Sequence, residues 1–372
     1  MSRYARQIVL PEVGLEGQER LRHARVLIVG VGGLGAPAAI YLAAAGVGTI
    51  GLVDADEVAL DNLHRQIMYT TGEVGELKVE AAARRLRAMN SEIEVTPHAL
   101  NLTPENARAL IEPYDMVLDG TDNFAARYAI NDACVQLGRP NVHASVYQFQ
   151  GQVSVFSTRG GPCYRCLFPT PPGPGEAPSC AEAGVLGALP GVLGTMQAVE
   201  ALKLILGVGK PLIGRLLMVD AFAMRFQEIA SARNPACPCC GVSSQRSAPA
   251  MIQTCTARAV ARTDSNGILE VLAPDLASEL AGPRPPVLLD VREPHELMVS
   301  TLPGAIHIPI GEIPLRLGEL DSSRPTVVFC RSGARSASVA AYLAARGFKD
   351  VRNLADGING WARTVDRKLT LY

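Results

Sequence analysis

The 372-residue chain lacks an excess of charge of either sign, which limits the partners it can be expected to bind. Lysine and arginine number 35 against 36 for aspartate and glutamate, so the formal net charge is −1. Nucleic acids and anionic membranes attract proteins through clustered positive charge. We therefore expect neither kind of partner, and local sites have to indicate what the chain binds.

A secretory leader and long apolar runs are also lacking. Residues 1–7 contain no apolar core and no small-residue cleavage site, so the sequence predicts a cytoplasmic protein. The weakly charged stretch 185–207 contains Pro190 and Glu200 and is expected to be a buried helix with its preceding loop, not a membrane span. Nine cysteines without a secretory signal favour metal binding or thiol chemistry over a disulfide framework.

The length and the pattern of elements predict two α/β domains. Between residues 25 and 157, short β-branched runs such as Val26–Val29 alternate with helical patterns, which indicates parallel strands joined by crossover helices. The polar stretch 242–265 has no apolar periodicity and is expected to be a linker. A smaller α/β pattern restarts after it, so we expect domains at 1–241 and 266–372.

A strand followed by a glycine-rich turn opens the first domain. Residues 25–29 precede Gly30-Val31-Gly32-Gly33-Leu34-Gly35, and a helical pattern follows. Unpaired backbone N–H groups at such a helix start bind phosphate. Asp54 closes the next strand, where its carboxylate can accept a hydrogen bond from a ribose hydroxyl. By itself this pattern is typical of a nicotinamide-dependent oxidoreductase, which is one alternative.

Charged residues beyond Asp54 favour a triphosphate and a metal ion over a nicotinamide. Arg65 and Lys78 can hold phosphate oxygens while charge develops on departing pyrophosphate. Asp122 follows a buried strand and can bind Mg²⁺. Each of these residues taken alone could be a solvated surface charge, but together they predict an ATP site.

The order of these residues resembles the MoeB/ThiF adenylyltransferases, relatives of the ubiquitin-activating enzymes. The resemblance covers the first domain and implies a Rossmann-like ATP-binding fold in a homodimer, with Arg6 reaching the ATP site of the other subunit. It also implies that the substrate is a small ubiquitin-like protein ending in Gly-Gly. The residues that it assigns to ATP or its metal are Gly33, Asp54, Asp61, Asn62, Leu63, His64, Arg65, Lys78, Asp122 and Asn123.

Two C-x-x-C pairs predict a structural metal. They are the segments 163–166 and 237–240, and four thiolates on two tight turns match the tetrahedral geometry of Zn²⁺. The alternative is two sets of free or redox-active thiols. Family resemblance implies the ligand set Cys163, Cys166, Cys237 and Cys240, whereas the sequence by itself also permits a register that uses Cys239.

One cysteine follows a segment rich in proline and glycine. Residues 169–175 cannot form regular structure and predict a mobile loop, and Cys180 lies just after it. In the resembling family this position holds a cysteine implicated in sulfur transfer or in a covalent bond to the carrier, so Cys180 is expected to be catalytic. The alternative is a bystander thiol. Cys134 is expected in a helix core and Cys255 in the linker.

The segment 330–336 ends a strand and begins a helix. Backbone N–H groups and the guanidinium groups of Arg331 and Arg335 are expected to surround the Cys330 sulfur and to stabilise a thiolate or a persulfide anion. A cysteine phosphatase is the nearest competitor, but its loop is one residue longer between the cysteine and the arginine. Asp290 and Arg292 are expected to brace this loop.

The second domain resembles a single-domain rhodanese, which implies that Cys330 carries a persulfide. The sequence departs from that family at 299–302, where many members read Gly-His-Ile, and in the tail, which lacks a usual proline. Neither departure touches the loop of Cys330. An inactive docking module is the alternative for this domain.

An adenylating domain followed by a rhodanese domain resembles the architecture of the molybdopterin-synthase adenylyltransferase/sulfurtransferase proteins. We expect the carrier's terminal glycine to become an acyl-adenylate, which the Cys330 persulfide attacks with release of AMP. A second thiol, for which Cys180 is the candidate, would then cleave the acyl disulfide and leave a thiocarboxylate. The product would serve molybdenum-cofactor, thiamine, cysteine or thiolated-tRNA biosynthesis, and a cysteine desulfurase is a candidate sulfur donor.

Overall fold

The computed structural model describes residues 2–158, 160–172, 184–241 and 268–371. The chain divides into two compact units, one formed by 1–171 with 178–249 and the other by 172–177 with 250–372. The expected linker at 242–265, the Cys180 thiol and the Cys255 thiol lie outside the described residues.

The first unit is a layered α/β domain built on one sheet. Its helices are α1 (Ala5–Ile8), α2 (Gly14–His23), α3 (Gly35–Ala45), α4 (Lys78–Met89), α5 (Ala107–Ile111), α6 (Phe124–Leu137), α7 (Tyr164–Leu167) and α8 (Ala188–Leu206). Its strands are β1 (Arg25–Val29), β2 (Thr49–Val53), β3 (Glu94–His98), β4 (Met116–Asp119), β5 (Asn141–Tyr147), β6 (Gln150–Phe156), β7 (Arg215–Asp220) and β8 (Arg225–Ala230).

The sheet of the first unit has the order β3-β2-β1-β4-β5-β6-β7-β8 among the described residues. Strands β1 to β5 run parallel, and β6 to β8 continue the sheet in antiparallel pairs. The chain therefore reverses its strand order beside β1, and the carboxyl ends of β1, β2 and β4 share one edge. Crevices at such a reversal are where open α/β sheets bind ligands.

Alternation along β1 explains why this strand lies at the centre. Val26 and Ile28 pack into one hydrophobic cluster together with α3 and α8, whereas Leu27 and Val29 pack into a second cluster with α5 and α6. Side chains alternate across a strand, so a continuous apolar run buries both faces of the sheet. The predicted parallel sheet with crossover helices is confirmed.

Helix α8 has the length and the hydropathy of a membrane span, but half of its apolar window is buried inside the protein. Its Gln197 side chain donates hydrogen bonds to the backbone oxygens of Asp119 and Val142, each at 2.8 Å. Glu200 accepts a hydrogen bond from Leu212 N at 2.7 Å. The helix is therefore the buried core helix that the sequence predicts.

The second unit is a smaller parallel α/β domain. Its strands are β9 (Leu269–Val271), β10 (Val287–Asp290), β11 (Ile306–His307), β12 (Thr326–Phe329) and β13 (Val351–Leu354), in the sheet order β11-β10-β12-β13-β9. Its helices are α9 (Ala273–Leu280), α10 (Ile313–Arg316), α11 (Ala334–Ala345) and α12 (Gly357–Thr364). All of its strand pairs are parallel, and Cys330 directly follows the central strand β12.

Candidate functional site

The glycine turn between β1 and α3 is in close backbone contact with the end of β4. Gly30 adopts a φ of 83°, in the left-handed region that favours glycine. A Cβ atom at Gly35 would collide with Gly30 O, and one at Gly120 would lie 3.0 Å from the same oxygen. Only glycines therefore permit this packing, which holds the start of α3 beside the residues after β4.

Asp54 and Tyr69 hold the glycine turn from two sides. The Asp54 carboxylate accepts hydrogen bonds from Val31 N and Asp56 N, each at 2.9 Å. The Tyr69 hydroxyl donates to Val31 O at 2.8 Å, and burial raises the pKa of this tyrosine, so it remains a donor. Asp54 thus braces the turn in addition to its predicted ribose contact. Sequence reasoning missed Tyr69, because it lies 38 residues from its partner.

The predicted segment 61–65 lies along the same turn. Arg65 lies beside Gly33, since a Cβ atom added to Gly33 would be 3.5 Å from Arg65 Cγ. The arginine's Nη1 contacts Asp61 O at 3.2 Å and His64 Nε2 at 2.7 Å. Burial and the nearby guanidinium lower the pKa of His64, which favours its neutral form.

Two further residues of this segment have structural roles beside their predicted ones. The Asn62 side chain donates to Asp61 Oδ1 and accepts from Gln66 Nε2, each at 2.8 Å. Gln66, to which the sequence analysis assigns no ligand contact, is buried next to Gly32. Leu63 packs against the main hydrophobic cluster.

Lys78 begins α4 and points its charge toward the same region. Its side chain is 6% exposed, and its Nζ lies 2.8 Å from Asp56 Oδ2. Burial raises the pKa of Asp54, and the charge of Lys78 opposes that rise. The structure therefore places Lys78 near Asp54 and Arg65 beside Gly33, each at the glycine turn, and this combination of donors and cations suits a nucleotide phosphate.

The residues after β4 complete this edge. Asp122 is exposed directly after the buried Thr121. Asn123 is the N-cap of α6, where its Oδ1 accepts a hydrogen bond from Ala126 N at 2.9 Å. Arg6 is exposed on α1. The predicted ligand contacts of these three residues stay predictions.

Four cysteine sulfurs form a compact cluster in the first unit. Their sulfur atoms all lie within 4.8 Å of one another. Cys163 Sγ lies 3.9 Å from Cys166 Sγ and 3.6 Å from Cys237 Sγ, and Cys166 Sγ lies 3.4 Å from Cys240 Sγ. Tetrahedral coordination at a Zn–S distance of about 2.3 Å separates sulfurs by roughly 3.8 Å, so the cluster fits a zinc ion.

A fifth thiol lies beside this cluster. Cys239 Sγ accepts a hydrogen bond from Asn131 Nδ2 at 3.6 Å. The four sulfurs that lie within 4.8 Å of one another belong to Cys163, Cys166, Cys237 and Cys240, and this set does not include Cys239. Burial raises the pKa of the Cys166 and Cys240 thiols, and a bound cation would favour their thiolate forms.

Cys330 lies in a tight loop in the second unit and is fully buried. Its sulfur accepts a hydrogen bond from Gly333 N at 3.2 Å, and the Ser336 hydroxyl lies 3.4 Å from it and also contacts Asn353 Oδ1 at 2.7 Å. Gly333 adopts a φ of 96°, and a Cβ atom there would collide with Ala355 O. The loop is thus folded so that the start of α11 donates to the sulfur, which favours an anion on it.

Helix α12 donates backbone hydrogen bonds to the loop that contains Cys330. Ile358 N donates to Cys330 O at 2.9 Å, and Asn359 N donates to Arg331 O at 3.1 Å. Gly357, at the helix start, has a φ of 60° and leaves no space for a side chain next to Arg331. The loop geometry is therefore set by contacts from a segment that follows it by more than 20 residues.

Arg335 makes an ion pair that the sequence does not predict. Its Nη1 and Nη2 each lie 2.7 Å from a carboxylate oxygen of Glu296. In this bidentate ion pair the Arg335 side chain is 14% exposed and the Glu296 side chain 6% exposed. Glu296 was missed because it lies 39 residues earlier in a 3₁₀ helix. The charge of Arg335 is thus balanced by a carboxylate beside the loop.

The bracing expected of Asp290 and Arg292 is present. Arg292 is fully buried, and its Nη2 lies 2.6 Å from Asp290 Oδ2 and 2.9 Å from Ser300 O. Its guanidinium lies over the ring of Phe329, with 5.8 Å to the ring centroid. Because Phe329 immediately precedes Cys330, this pair supports the strand end from which the loop departs.

Comparison with known protein families assigns both units. The model of the ThiF family matches residues 4–239, which is more than half of the chain. The chain belongs to the ThiF family. The model of the rhodanese-like domain matches residues 273–364 of this ThiF-family chain.

Relatives of this ThiF-family chain span both units. It is 43% identical to adenylyltransferase and sulfurtransferase MOCS3 of Anopheles gambiae, with 100% of the chain and 89% of the relative covered. It is 41% identical to the probable adenylyltransferase/sulfurtransferase MoeZ of Mycobacterium tuberculosis, over 100% of the chain and 95% of the relative. The sulfur carrier protein adenylyltransferase of Thermus thermophilus is 54% identical over 65% of the chain and 91% of that protein.

A solved structure shares the fold of the first unit. The E. coli MccB structure with MccA-N7isoASN has a TM-score of 0.55 and 25% identity, covering 60% of this chain and 68% of that one. The expected fold class, a Rossmann-like ThiF domain followed by a smaller rhodanese domain, is confirmed. The expected enzyme class, adenylyltransferase and sulfurtransferase, is confirmed by the relatives, which lend no support to a nicotinamide-dependent oxidoreductase.

Proposed function

We propose that this chain adenylates the C-terminal glycine of a ubiquitin-like sulfur-carrier protein with ATP and then converts the carboxylate to a thiocarboxylate. The observation that carries the proposal is that relatives named for both activities match the whole chain, across both units. We take the adenylating domain as 1–241, the linker as 242–265 and the rhodanese domain as 266–372. The chain would act in the cytoplasm and as a homodimer.

In the first half-reaction a carboxylate oxygen of the carrier attacks the α-phosphorus of ATP, and pyrophosphate leaves. Lys78 and Arg65 would balance the charge that develops on the leaving group, and the start of α3 would hold phosphate. Asp122 would hold Mg²⁺, which screens phosphate charge when bound. The other ATP contacts would come from Gly33, Asp54, Asp61, Asn62, Leu63, His64 and Asn123, with Arg6 contributed from the second copy.

This half-reaction needs no side-chain nucleophile. A carboxylate is a poor electrophile, and its union with AMP supplies a good leaving group. Positioning and electrostatic stabilisation are sufficient for phosphoryl chemistry of this kind. The braced glycine turn, with Asp54 and Tyr69 on opposite sides of Val31, supports this assignment.

The four clustered cysteines would hold Zn²⁺ as a structural ion. Cys163, Cys166, Cys237 and Cys240 leave no open coordination position for a substrate. They join α7 and its N-cap residue to a segment 74 residues later. The ion would therefore stabilise the first domain and take no part in the reaction.

In the second half-reaction the outer sulfur of a Cys330 persulfide attacks the carbonyl carbon of the adenylate, and AMP leaves. The product is an acyl disulfide between the carrier and Cys330. A thiolate, for which Cys180 is our candidate, attacks the Cys330 sulfur and releases the thiocarboxylate, and the resulting Cys180–Cys330 disulfide is then reduced by a cellular thiol. Arg331 and Arg335 would supply positive charge at this loop.

The sulfur would reach Cys330 from a persulfide donor such as a cysteine desulfurase. Gly333 N–H and the Ser336 hydroxyl support a sulfur anion at this position, since both lie within hydrogen-bonding distance of Cys330 Sγ. This argues against the role of an inactive docking module. Molybdenum-cofactor, thiamine, cysteine and thiolated-tRNA biosynthesis are the routes that such a product would serve.

The two half-reactions can be tested separately. Cys330→Ala is expected to retain ATP–pyrophosphate exchange that depends on a carrier ending in Gly-Gly, and to form no thiocarboxylate. Cys134→Ala, which alters a buried core thiol, is the control for loss of a cysteine as such. Loss of exchange in the Cys330→Ala protein would contradict the separation of the two chemistries.

A further inference from the structure

A fully buried aspartate and a fully buried histidine lie side by side beneath the proposed nucleotide site. Asp119 ends β4 and His143 lies opposite it on β5, and both residues are 0% exposed. Asp119 Oδ2 lies 2.8 Å from His143 Nδ1. Neither residue belongs to the reaction as described above.

The other oxygen of this carboxylate holds the residue before Asp122. Asp119 Oδ1 accepts hydrogen bonds from Thr121 N at 3.1 Å and from the Thr121 hydroxyl at 2.7 Å. The Thr121 carbonyl accepts from Arg127 Nη2 at 3.0 Å. Thr121 is therefore fixed at its N–H, its hydroxyl and its carbonyl, all by buried partners. The next residue, Asp122, is exposed.

The protonation of the pair follows from its surroundings. Burial alone would raise the pKa of Asp119, but the hydrogen bond from His143, the nearby positive charge of Arg127 and the hydrogen bond from Thr121 outweigh it, and the pKa is lowered. Burial lowers the pKa of His143. Asp119 is thus a carboxylate, and the neutral imidazole carries its proton on Nδ1, because a carboxylate can only accept. Its Nε2 is buried and has no hydrogen-bond partner among the described residues.

Aromatic rings fix the orientation of the imidazole. Its centroid lies 5.0 Å from that of Tyr164 and 5.8 Å from that of Phe156. With Nε2 enclosed and Nδ1 donating, the ring has one orientation that satisfies Asp119. A buried carboxylate is unfavourable unless its oxygens are hydrogen-bonded, and both oxygens of Asp119 meet this condition only through His143 and Thr121 among the described residues.

We propose that His143 is a positioning residue of the adenylation reaction, which acts through Asp119 and Thr121 to aim the exposed Asp122 at the metal–nucleotide. This inference rests on the proposed function. Residues that orient a metal ligand from behind affect metal affinity about as strongly as many ligands do, by roughly 10- to 100-fold. The probe is therefore the Mg²⁺ dependence of ATP–pyrophosphate exchange.

Two substitutions of His143 separate its hydrogen bond from its ring. His143→Asn retains an N–H donor near the position of Nδ1 and loses the aromatic contacts with Phe156 and Tyr164. His143→Phe retains the aromatic contacts and loses the donor. We expect His143→Phe to raise the Mg²⁺ concentration for half-maximal exchange about tenfold, with the KM for ATP at saturating Mg²⁺ nearly unchanged. His143→Asn should stay close to the wild type in this measurement.

The melting temperature separates positioning from a purely structural role. If His143 only stabilises the core, both variants lower the melting temperature and the Mg²⁺ dependence stays at the wild-type value, which overturns the inference. Equal increases in the two variants also overturn it, because the donor would then not be the cause. If the wild type itself shows no exchange, the proposed function fails first and this inference fails with it.

A second pair of variants covers the case in which His143→Phe does not fold. Thr121→Val removes the hydroxyl donor to Asp119 at nearly constant volume, and Thr121→Ser restores it. The same increase in half-maximal Mg²⁺ is expected for Thr121→Val, with return toward the wild-type value for Thr121→Ser. Thr121→Val with wild-type Mg²⁺ dependence would overturn the inference.

Discussion

The Nζ of Lys78 lies 2.8 Å from Asp56 Oδ2, although the lysine side chain is 6% exposed and the aspartate side chain is 70% exposed. The cation is thus held under the surface by an acid that remains in water. A phosphate can replace or join that acid without a large movement of the lysine. This relationship supports a phosphate-binding role for Lys78.

Replacement of Lys78 by Met should lower the rate of ATP–pyrophosphate exchange by about 100-fold or more, because the charge that balances the leaving pyrophosphate is removed at similar side-chain length. Lys210→Met, at an exposed lysine of the same domain, is the matched control and should leave the rate unchanged. Similar losses in the two variants would argue that Lys78 acts through general surface charge.

The cysteine cluster predicts which thiols are required for zinc. Cys240→Ser should lose the metal and lower the melting temperature, because one thiolate of the tetrahedral set is missing. Cys239→Ser, one residue earlier, should retain one zinc ion per chain. Metal content by inductively coupled plasma mass spectrometry checks both. The reverse pattern would show that the ligand set uses Cys239.

The ion pair between Glu296 and Arg335 predicts a large stability effect in the rhodanese domain. Glu296→Gln removes the carboxylate charge from this largely buried ion pair, which should cost about 3 kcal/mol of unfolding free energy. Glu319→Gln breaks an exposed pair with Arg316, which water screens, and should lower the unfolding free energy much less. Urea unfolding followed by fluorescence of Trp361, the single tryptophan, reports on this domain. Equal effects of the two substitutions would contradict the account.

The pair between Glu279 and Arg352 predicts a pH dependence of the same unfolding. The hydrogen bond from Arg352 lowers the pKa of Glu279 below its ordinary value of 4.5. A carboxyl whose pKa is lowered by folding stabilises the folded state above its unfolded pKa, and this contribution is lost as pH falls through the folded pKa. Glu279→Gln should therefore be less stable than the wild type at neutral pH, and the difference should shrink in acid. A constant difference at every pH would contradict this.

Much of the fold could be predicted from local pattern. The apolar run of β1 and the glycine turn after it are local features, because burial on both faces and a left-handed backbone at Gly30 each impose a residue type at a fixed position. The cysteine pairs were visible for the same reason, since metal geometry fixes their spacing. Such constraints can be read without knowledge of the tertiary structure.

The residues that brace the sites could not be predicted in this way. Tyr69, Glu296 and His143 reach their partners across 38, 39 and 24 positions of sequence. A tyrosine or histidine that makes one such contact leaves no periodic signal, and its partner becomes evident only when the strands are paired. The contact between Arg335 and Glu296 was therefore not predicted, and the predicted place of Arg335 at the Cys330 sulfur stays a prediction.

The central claim is that one chain makes a carrier's terminal acid reactive and then exchanges an oxygen for sulfur. Purified protein would be incubated with ATP, Mg²⁺, a persulfide donor, a thiol reductant and a carrier ending in Gly-Gly, and the intact mass of the carrier would be measured. We predict a mass gain equal to the replacement of one oxygen by one sulfur, dependent on both ATP and Cys330. An unchanged carrier mass with wild-type protein, or a gain that persists without ATP, would contradict the account.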